Sequence, residues 1–176
     1  MLGAIAGDII GSIYEKKPLK TTEFPLFSEH STFTDDTVMT IAVAESLLFG
    51  ESYETTFKRW GNKYPNAGYG STFKKWLRGE ISGAYNSWGN GGAMRVSPIG
   101  YLKLSLEKIL QEAKKSAAIT HNHPEGIKGA KAVAGSIHLA LNGHSKEEIK
   151  NFTISRKGGS GVRVIFHIPK HYIVVK

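Results

Sequence analysis

Thr32-Phe33-Thr34-Asp35-Asp36-Thr37 runs without a break into Val38-Met39-Thr40-Ile41-Ala42-Val43-Ala44-Glu45-Ser46-Leu47-Leu48, and no other stretch constrains the chain as much. Its second part predicts a helix that is apolar nearly all round, and a helix of that kind is buried. The N-terminus of the helix then carries two adjacent carboxylates, with hydroxyls beside them, to a place where their charge must be compensated. Free N–H groups and the helix dipole stabilise one carboxylate by about 0.3–1 kcal/mol, so a pair flanked by hydroxyls exceeds what capping requires. Oxygen-only donors of this kind suit a hard cation such as Mg²⁺. The plainer alternative is a Thr or Asp cap followed by an acidic first turn.

The chain that must bury this helix has 176 residues, 40% of them hydrophobic and 22% charged, enough for one globular domain with its own core. It contains no cysteine, which excludes disulfides, a thiolate nucleophile and Cys-based zinc sites, and the cytoplasm is the expected compartment. Met1 to Ile13 is apolar but has no basic start, carries Asp8 in its middle and is too short to span a bilayer. It reads as a core helix, and no membrane association is expected. The formal net charge of +8 would suggest nucleic acid if it were gathered on one face. Arg156, Lys157, Arg163, Lys170 and Lys176, with no acid among them, account for +5 of it after residue 150 and leave +3 for the rest. Elsewhere lysines are scattered among acids without interleaved aromatics, so no nucleic-acid partner is expected.

Taken in order, the first helix has glycines at positions 3, 7 and 11, one per turn, which points to close packing against a neighbour. Asp8 and Glu15 lie seven residues apart and so share a face; Asp8 reads equally as a buried structural carboxylate or a functional one. A loop with Pro18 and Pro25 leads to the acidic helix, which Gly50 closes. Ser52 caps a helix with Tyr53, Phe57 and Trp60 on one side, and Ser71 caps another with Phe73, Trp76 and Leu77; these aromatics read as core. Ser105 to Ile119 is amphipathic, with Leu106, Ile109, Leu110, Ala113 and Ala117 inward. The next helix starts near Pro124, presents Ile127, Ala130, Val133, Ala134, Ile137 and Leu141, and closes at Gly143.

Two polar stretches interrupt these helices. In Gly83-Ala84-Tyr85-Asn86-Ser87-Trp88-Gly89-Asn90-Gly91-Gly92-Ala93-Met94-Arg95-Val96-Ser97-Pro98 the glycines around Asn90 let backbone approach a ligand and expose N–H groups, and Arg95 can reach an anion. A tight connection between helices is the structural alternative, and neither a P-loop ending nor a preceding strand is present. Thr120-His121-Asn122-His123-Pro124-Glu125-Gly126 holds a His-x-His pair without a third zinc ligand, so its histidines read as hydrogen-bonding residues. Ser145-x-x-Glu148 is a capping box for one more helix, which is expected to stop after a few residues. A Gly-Ser linker and a strand-like run, Val162 to Ile168, then replace the helical text. The reading is a helical domain over 1–150 and a divergent basic tail over 151–176, as in a truncated or frameshifted chain.

GDIIGSIYE, TFTDDT, SWGNGGAMRVSPIG and THNHPEGIKGA follow one another here in the order and spacing of the ADP-ribosylglycohydrolases, and the chain resembles a small bacterial-type member of that family over residues 1–150. The resemblance implies an all-α orthogonal bundle with a binuclear Mg²⁺ site, Mn²⁺ being an alternative. The implied activity is hydrolysis of the glycosidic bond between ADP-ribose and a protein side chain or small acceptor. By motif, Thr34, Asp35 and Asp36 would ligate metal, and Glu15, Asp35 or Asp36 would serve catalysis. Ser87, Trp88, Gly89 and Asn90 would line the ADP-ribose pocket, and His121 would meet the distal ribose or pyrophosphate. The family's second acidic motif, Asp-x-Asp-Thr, has no counterpart, since Asp8, Asp35 and Asp36 are the only aspartates. The expectation is therefore a hydrolase-family chain of weak activity, or a non-catalytic remnant that binds ADP-ribose or metal. Uncovered apolar faces would favour self-association.

Overall fold

The structure is a computed structural model that describes residues 1–15, 21 and 23–155. The expected basic tail and strand-like run lie, from residue 156 onward, outside the described residues. Helix α1 (Leu2–Gly11) continues into a 3₁₀ turn, Ser12–Tyr14, and α2 (Asp35–Phe49) follows the first loop. Next come α3 (Tyr53–Lys63), α4 (Ser71–Leu77) and two single turns, α5 (Gly91–Met94) and α6 (Ser97–Gly100). Then α7 (Leu106–Ala118), α8 (Pro124–Leu141) and α9 (Lys146–Ser155) complete an all-α fold with no strand among the described residues.

The ends of these helices are set by local chemistry. The Ser52 and Ser105 hydroxyls accept from the N–H groups of Thr55 and Lys108, and Gly50 closes α2 at φ +71°, a conformation that a Cβ would oppose. Gly70, rather than Ser71, caps α4. Val38, Met39, Ala42 and Val43 of α2 pack with Phe57 of α3 and Trp76 of α4, while Ile109, Ala113 and Ala117 of α7 meet Ala130 and Ala134 of α8. Helix α8 lies at the centre, in contact with α5, α6, α7 and α9. Gly100 permits the α6 contact: a Cβ there would stand 2.9 Å from the Ala134 carbonyl and 2.7 Å from Ile137.

Several expectations need correction. Helix α9 does not stop after a few residues; the Ser145–Glu148 box opens a full ten-residue helix. It persists because Phe152 fills the notch left by Gly135 of α8, beside Leu110. Gly3 packs against nothing within 4 Å, so the one-per-turn glycines do not all serve close approach. Leu141 is exposed and Leu139 is buried in its place, because α8 presents a different edge at its last turn. Helix α2 is not enclosed along its whole length either: Leu48 and Phe49 are 76% and 73% exposed.

The contact that orients the first two helices is polar. Asp8 of α1 accepts from the Thr34 N–H at 2.8 Å and Oγ1 at 2.6 Å, and from the Thr37 N–H at 3.2 Å and Oγ1 at 2.5 Å. One carboxylate thus satisfies two free N–H groups at the α2 N-terminus and two hydroxyls, which assigns Asp8 to structure. Replacing Asp8 by Ala strands four donors, at a cost of about 2–4 kcal/mol. Urea titration at pH 7.5 should show that loss; a change below about 0.5 kcal/mol would remove Asp8 from this role.

Candidate active site

A cleft of about 490 Å³ opens beside the N-terminus of α2. One wall is Asp35 and Met39 of α2 with Tyr69 to Phe73, and the facing wall is Tyr85 to Gly91 with Met94, Arg95 and His121. The volume is that of a small-molecule site. The cleft brings together Asp35, Ser87, Trp88, Gly89, Asn90 and His121 of the expected site residues, from positions as much as 86 residues apart in the chain. Glu15, Thr34 and Asp36 do not line it and stand at its acidic end.

That end is built by the α2 cap. Thr34 is buried, with its hydroxyl donating to Asp8 and accepting from the Asp36 N–H at 3.3 Å. One lone pair of Thr34 Oγ1 therefore stays available for a cation. Burial pushes the Asp36 carboxyl up from 3.8 to about 7, and the negative charges of Asp35, Asp8 and Glu15 add to the shift. Burial also raises Asp35 to about 6 against the pull of a backbone hydrogen bond; Glu15 and Asp8 raise it further and Lys74 opposes them. Glu15 is exposed at the end of the 3₁₀ turn, within electrostatic reach of both aspartates. Two desolvated carboxylates with unfavourable charge neighbours and an available hydroxyl fit a hard divalent cation. Among the described residues, however, no three His, Cys, Asp or Glu side chains converge tightly enough to enclose an ion.

The facing wall is shaped around His121. A Cβ on Gly91 would stand 2.7 Å from His121 Cε1 and 2.8 Å from Nε2, and a Cβ on Gly92 would press the His121 Cβ at 3.1 Å. Both glycines are thus required by the imidazole, which favours the tight-connection alternative for that half of the loop. Gly126 serves the same junction, since a Cβ there would meet the Ser87 carbonyl at 2.9 Å. The His121 Nδ1 pairs with Thr120 Oγ1 at 2.8 Å; burial, then the Arg95 charge, lowers its pKa to about 3, so the ring is neutral at physiological pH. His123 is spent on its helix, accepting from the Glu125 N–H at 3.1 Å. Trp88 stands 73% exposed at the rim.

Arg95 departs from the simple anion-binding expectation. Its side chain is almost wholly buried, lies 4.2 Å over the Phe57 ring, and donates from Nη2 to the Ser116 carbonyl at 2.8 Å and to Thr120 Oγ1 at 3.1 Å. Burial lowers its pKa to about 9, which still leaves it a cation at neutral pH. The sequence alone did not point to Tyr69, whose buried hydroxyl has no hydrogen-bond partner among the described residues, or to Asn86, held at φ +53° with its N–H donating to Asn122 Oδ1 at 2.7 Å. No pattern marks Tyr69. Asn86 had a signal, because Asn tolerates left-handed backbone and immediately precedes the glycine-rich loop.

An acidic helix cap thus faces a glycine-lined wall across a cleft of small-molecule size. The chain belongs to the ADP-ribosylglycohydrolase family, whose model matches residues 1–158. It is 33% identical to the ADP-ribosylhydrolase ARH3 of Homo sapiens and 32% identical to that of Mus musculus, in each case over 84% of this chain and 50% of the relative. It is 27% identical to the ADP-ribosylarginine hydrolase Tri1 of Pseudomonas putida, over 84% of this chain and 47% of that protein. The chain thus spans about half the length of these relatives.

The raised carboxyls at the acidic end make the metal-free protein pH-sensitive. Between about pH 4 and 7 the folded state holds more protons than the unfolded one, so these groups' stabilisation is lost as pH rises through 6–7. Asp36→Asn removes the charge and should make the metal-free protein more stable at pH 8 by roughly 1–2 kcal/mol, with no gain at pH 4.5. Thermal melts in chelator at the two pH values test it; equal stability at pH 8 would show that the site carries no such strain. Added Mg²⁺ should raise the melting temperature of the unsubstituted chain and leave Asp36→Asn unchanged.

Proposed function

We propose that the chain binds ADP-ribose in this cleft and acts on the glycosidic bond that joins ADP-ribose to a protein side chain or small acceptor. The observation that carries the reading is the single cleft onto which Asp35, Ser87, Trp88, Gly89, Asn90 and His121 converge, with Asp36, Thr34 and Glu15 at one end. In this reading Thr34, Asp35 and Asp36 hold Mg²⁺ or Mn²⁺, which supplies charge stabilisation to an oxygen ligand and a lowered pKa to a bound water. The acidic end receives the ribose that carries the scissile bond. Glu15 is the carboxylate able to approach from the solvent side and accept a proton from the attacking water, because it is exposed while the two aspartates are partly enclosed. The facing wall holds the remainder of the ligand: Ser87 and the Gly89–Gly91 backbone toward its oxygens, Trp88 across its apolar face, and His121 at the far end.

A second reading, binding without turnover, is favoured by the sparse donor set. Two carboxylates and a hydroxyl bind one cation weakly, and a ligand that brings its own oxygens would complete the site. The exposed Leu48, Phe49, Leu141 and Ile154 fit a chain that associates with another polypeptide surface, its own copies included, in a cytoplasmic setting.

Calorimetric titration of Mg²⁺ and then ADP-ribose into the 176-residue chain, beside an Asp35→Ala, Asp36→Ala double variant, separates the readings. Metal-dependent binding that weakens at least tenfold in the double variant is expected. Release of ADP-ribose from a modified peptide would then establish hydrolysis, and binding with no release would establish the second reading. A folded, soluble sample that binds no ADP-ribose with or without metal would overturn both.

A further inference from the structure

We infer that Arg95 and Thr120 are positioning residues that lock His121 as a neutral imidazole carrying its proton on Nε2, so that His121 serves the cleft only as a hydrogen-bond donor. The inference rests on the proposed ADP-ribose site for its functional meaning, but its physical basis lies in the buried network alone. Thr120 Oγ1 is fully buried and has two partners within hydrogen-bond distance, Arg95 Nη2 at 3.1 Å and His121 Nδ1 at 2.8 Å. A guanidinium has five donors and no acceptor, so Arg95 must donate to Thr120. The Thr120 proton then needs an acceptor inside the protein, and His121 Nδ1, at 2.8 Å, is the one the inference assigns to it. The Tyr85 hydroxyl also hydrogen-bonds Thr120, and a phenol can donate or accept; in the proposed network it donates to the second lone pair of Oγ1, which leaves the Thr120 proton for His121.

The direction of the chain is favoured by charge. A hydroxyl that accepts from a buried cation becomes a stronger donor on its other side, so Arg95 to Thr120 to His121 runs head to tail away from the guanidinium. The reverse arrangement would aim the His121 N–H dipole back toward that cation. Arg95 is itself immobilised by Ser116 and by the Phe57 ring, which makes it a fixed origin for the chain. With Nδ1 accepting, the neutral ring holds its proton on Nε2, the edge that lies along Gly89 and Gly91 in the cleft wall.

The chemical consequence is selective. Nε2–H has no lone pair to offer a cation and Nδ1 is occupied by Thr120, so His121 is neither a metal ligand nor a general base. It faces an acceptor: a phosphate, hydroxyl or ring oxygen of the ligand. The two ends of the cleft are thereby assigned different work, with oxygen donors for a cation at the α2 cap and an uncharged N–H at the far wall. A ligand group offering only donors at that position would be rejected, because it would bury the Nε2–H unpaired.

Long-range ¹H–¹⁵N correlation spectra of the 176-residue chain at pH 7.5 read the tautomer directly, with His121→Gln identifying the His121 signals. A pyrrole-type Nε2 and a pyridine-type Nδ1 are expected. Thr120→Val, which keeps the shape and removes the hydroxyl, should move the ring to averaged tautomer shifts and weaken ADP-ribose binding roughly tenfold, while Thr120→Ser should retain both properties. A protonated Nδ1 in the unsubstituted chain would overturn the inference, as would a Thr120→Val spectrum and affinity indistinguishable from the original. If the tautomer and its response to Thr120→Val are as expected but the unsubstituted chain does not bind ADP-ribose in Mg²⁺, the relay stands and the proposed ligand falls. Should Thr120→Val fail to fold, Arg95→Lys provides the second test: a shorter reach from the cation should return averaged shifts, and a retained single Nε2–H tautomer would overturn the part assigned to Arg95.

Discussion

The acidic end of the cleft depends on the carboxylate of Asp8. Four donors from the start of α2 converge on its two oxygens, and this ties a nearly all-apolar helix, α1, to the most charged point of the fold. Three of these bonds fall on one Asp8 oxygen and one on the other, so Asp8 is committed to Thr34 and Thr37, and Asp35 and Asp36 in the first turn of α2 are the carboxylates left beside the cleft. The same bonds pull the Thr34 hydroxyl to the position where it can join Asp35 and Asp36. The Asp8 charge stands near both, and it adds to the burial that makes Asp35 and Asp36 costly to ionise. Folding accepts that cost locally because α2 is secured further along by Val38, Met39, Ala42 and Val43 in the core.

The opposite wall is organised by a cation that the ligand need not touch. Arg95 sits under Phe57 and ties the end of α7 to the His121 junction, while Gly91 and Gly92 give the imidazole room. The loop from Ser87 to Gly92 is therefore shaped by packing against His121, and its Gly89 N–H donates back to Ser87 Oγ at 3.3 Å. The Ser87 N–H donates to the Thr120 carbonyl at 3.4 Å and the Asn86 N–H to Asn122, so loop and junction form one wall. A left-handed Asn86 at the turn into that wall is local strain of the kind that surrounding contacts must hold in place.

Cleft and fold also meet in the uncovered surfaces. Leu48 and Phe49 end α2 at the side of the molecule away from its acidic cap, and Leu141 and Ile154 lie near the ends of α8 and α9. Helices α2 and α8 bury residues on their other faces, whereas α9 is at most half-buried. The described helices nevertheless hold a continuous core from α2 through α8, with α8 touching four other helices.

Much of this was legible in the sequence. The helix cap at Ser52, the stop at Gly50, the buried aromatics and the four family motifs are all short-range patterns in which the residue type itself carries the physical requirement. That Asp35, the Ser87–Asn90 loop and His121 were worth singling out was legible for the same reason, each motif being contiguous; that they line one cleft was not. Tertiary structure alone decided what depends on distant partners. Asp8 could be structural or functional until its acceptors met Thr34 and Thr37; Arg95 could bind an anion until Ser116, Thr120 and Phe57 enclosed it; Tyr69 gave no signal at all. Helix α9 outlasted its weak local pattern because Phe152 found the notch at Gly135. A capping hydroxyl or a left-handed glycine answers to its neighbours in the chain, whereas burial, charge environment and hydrogen-bond partners are set by whatever the fold brings alongside, and that information is spread over residues far apart in the chain.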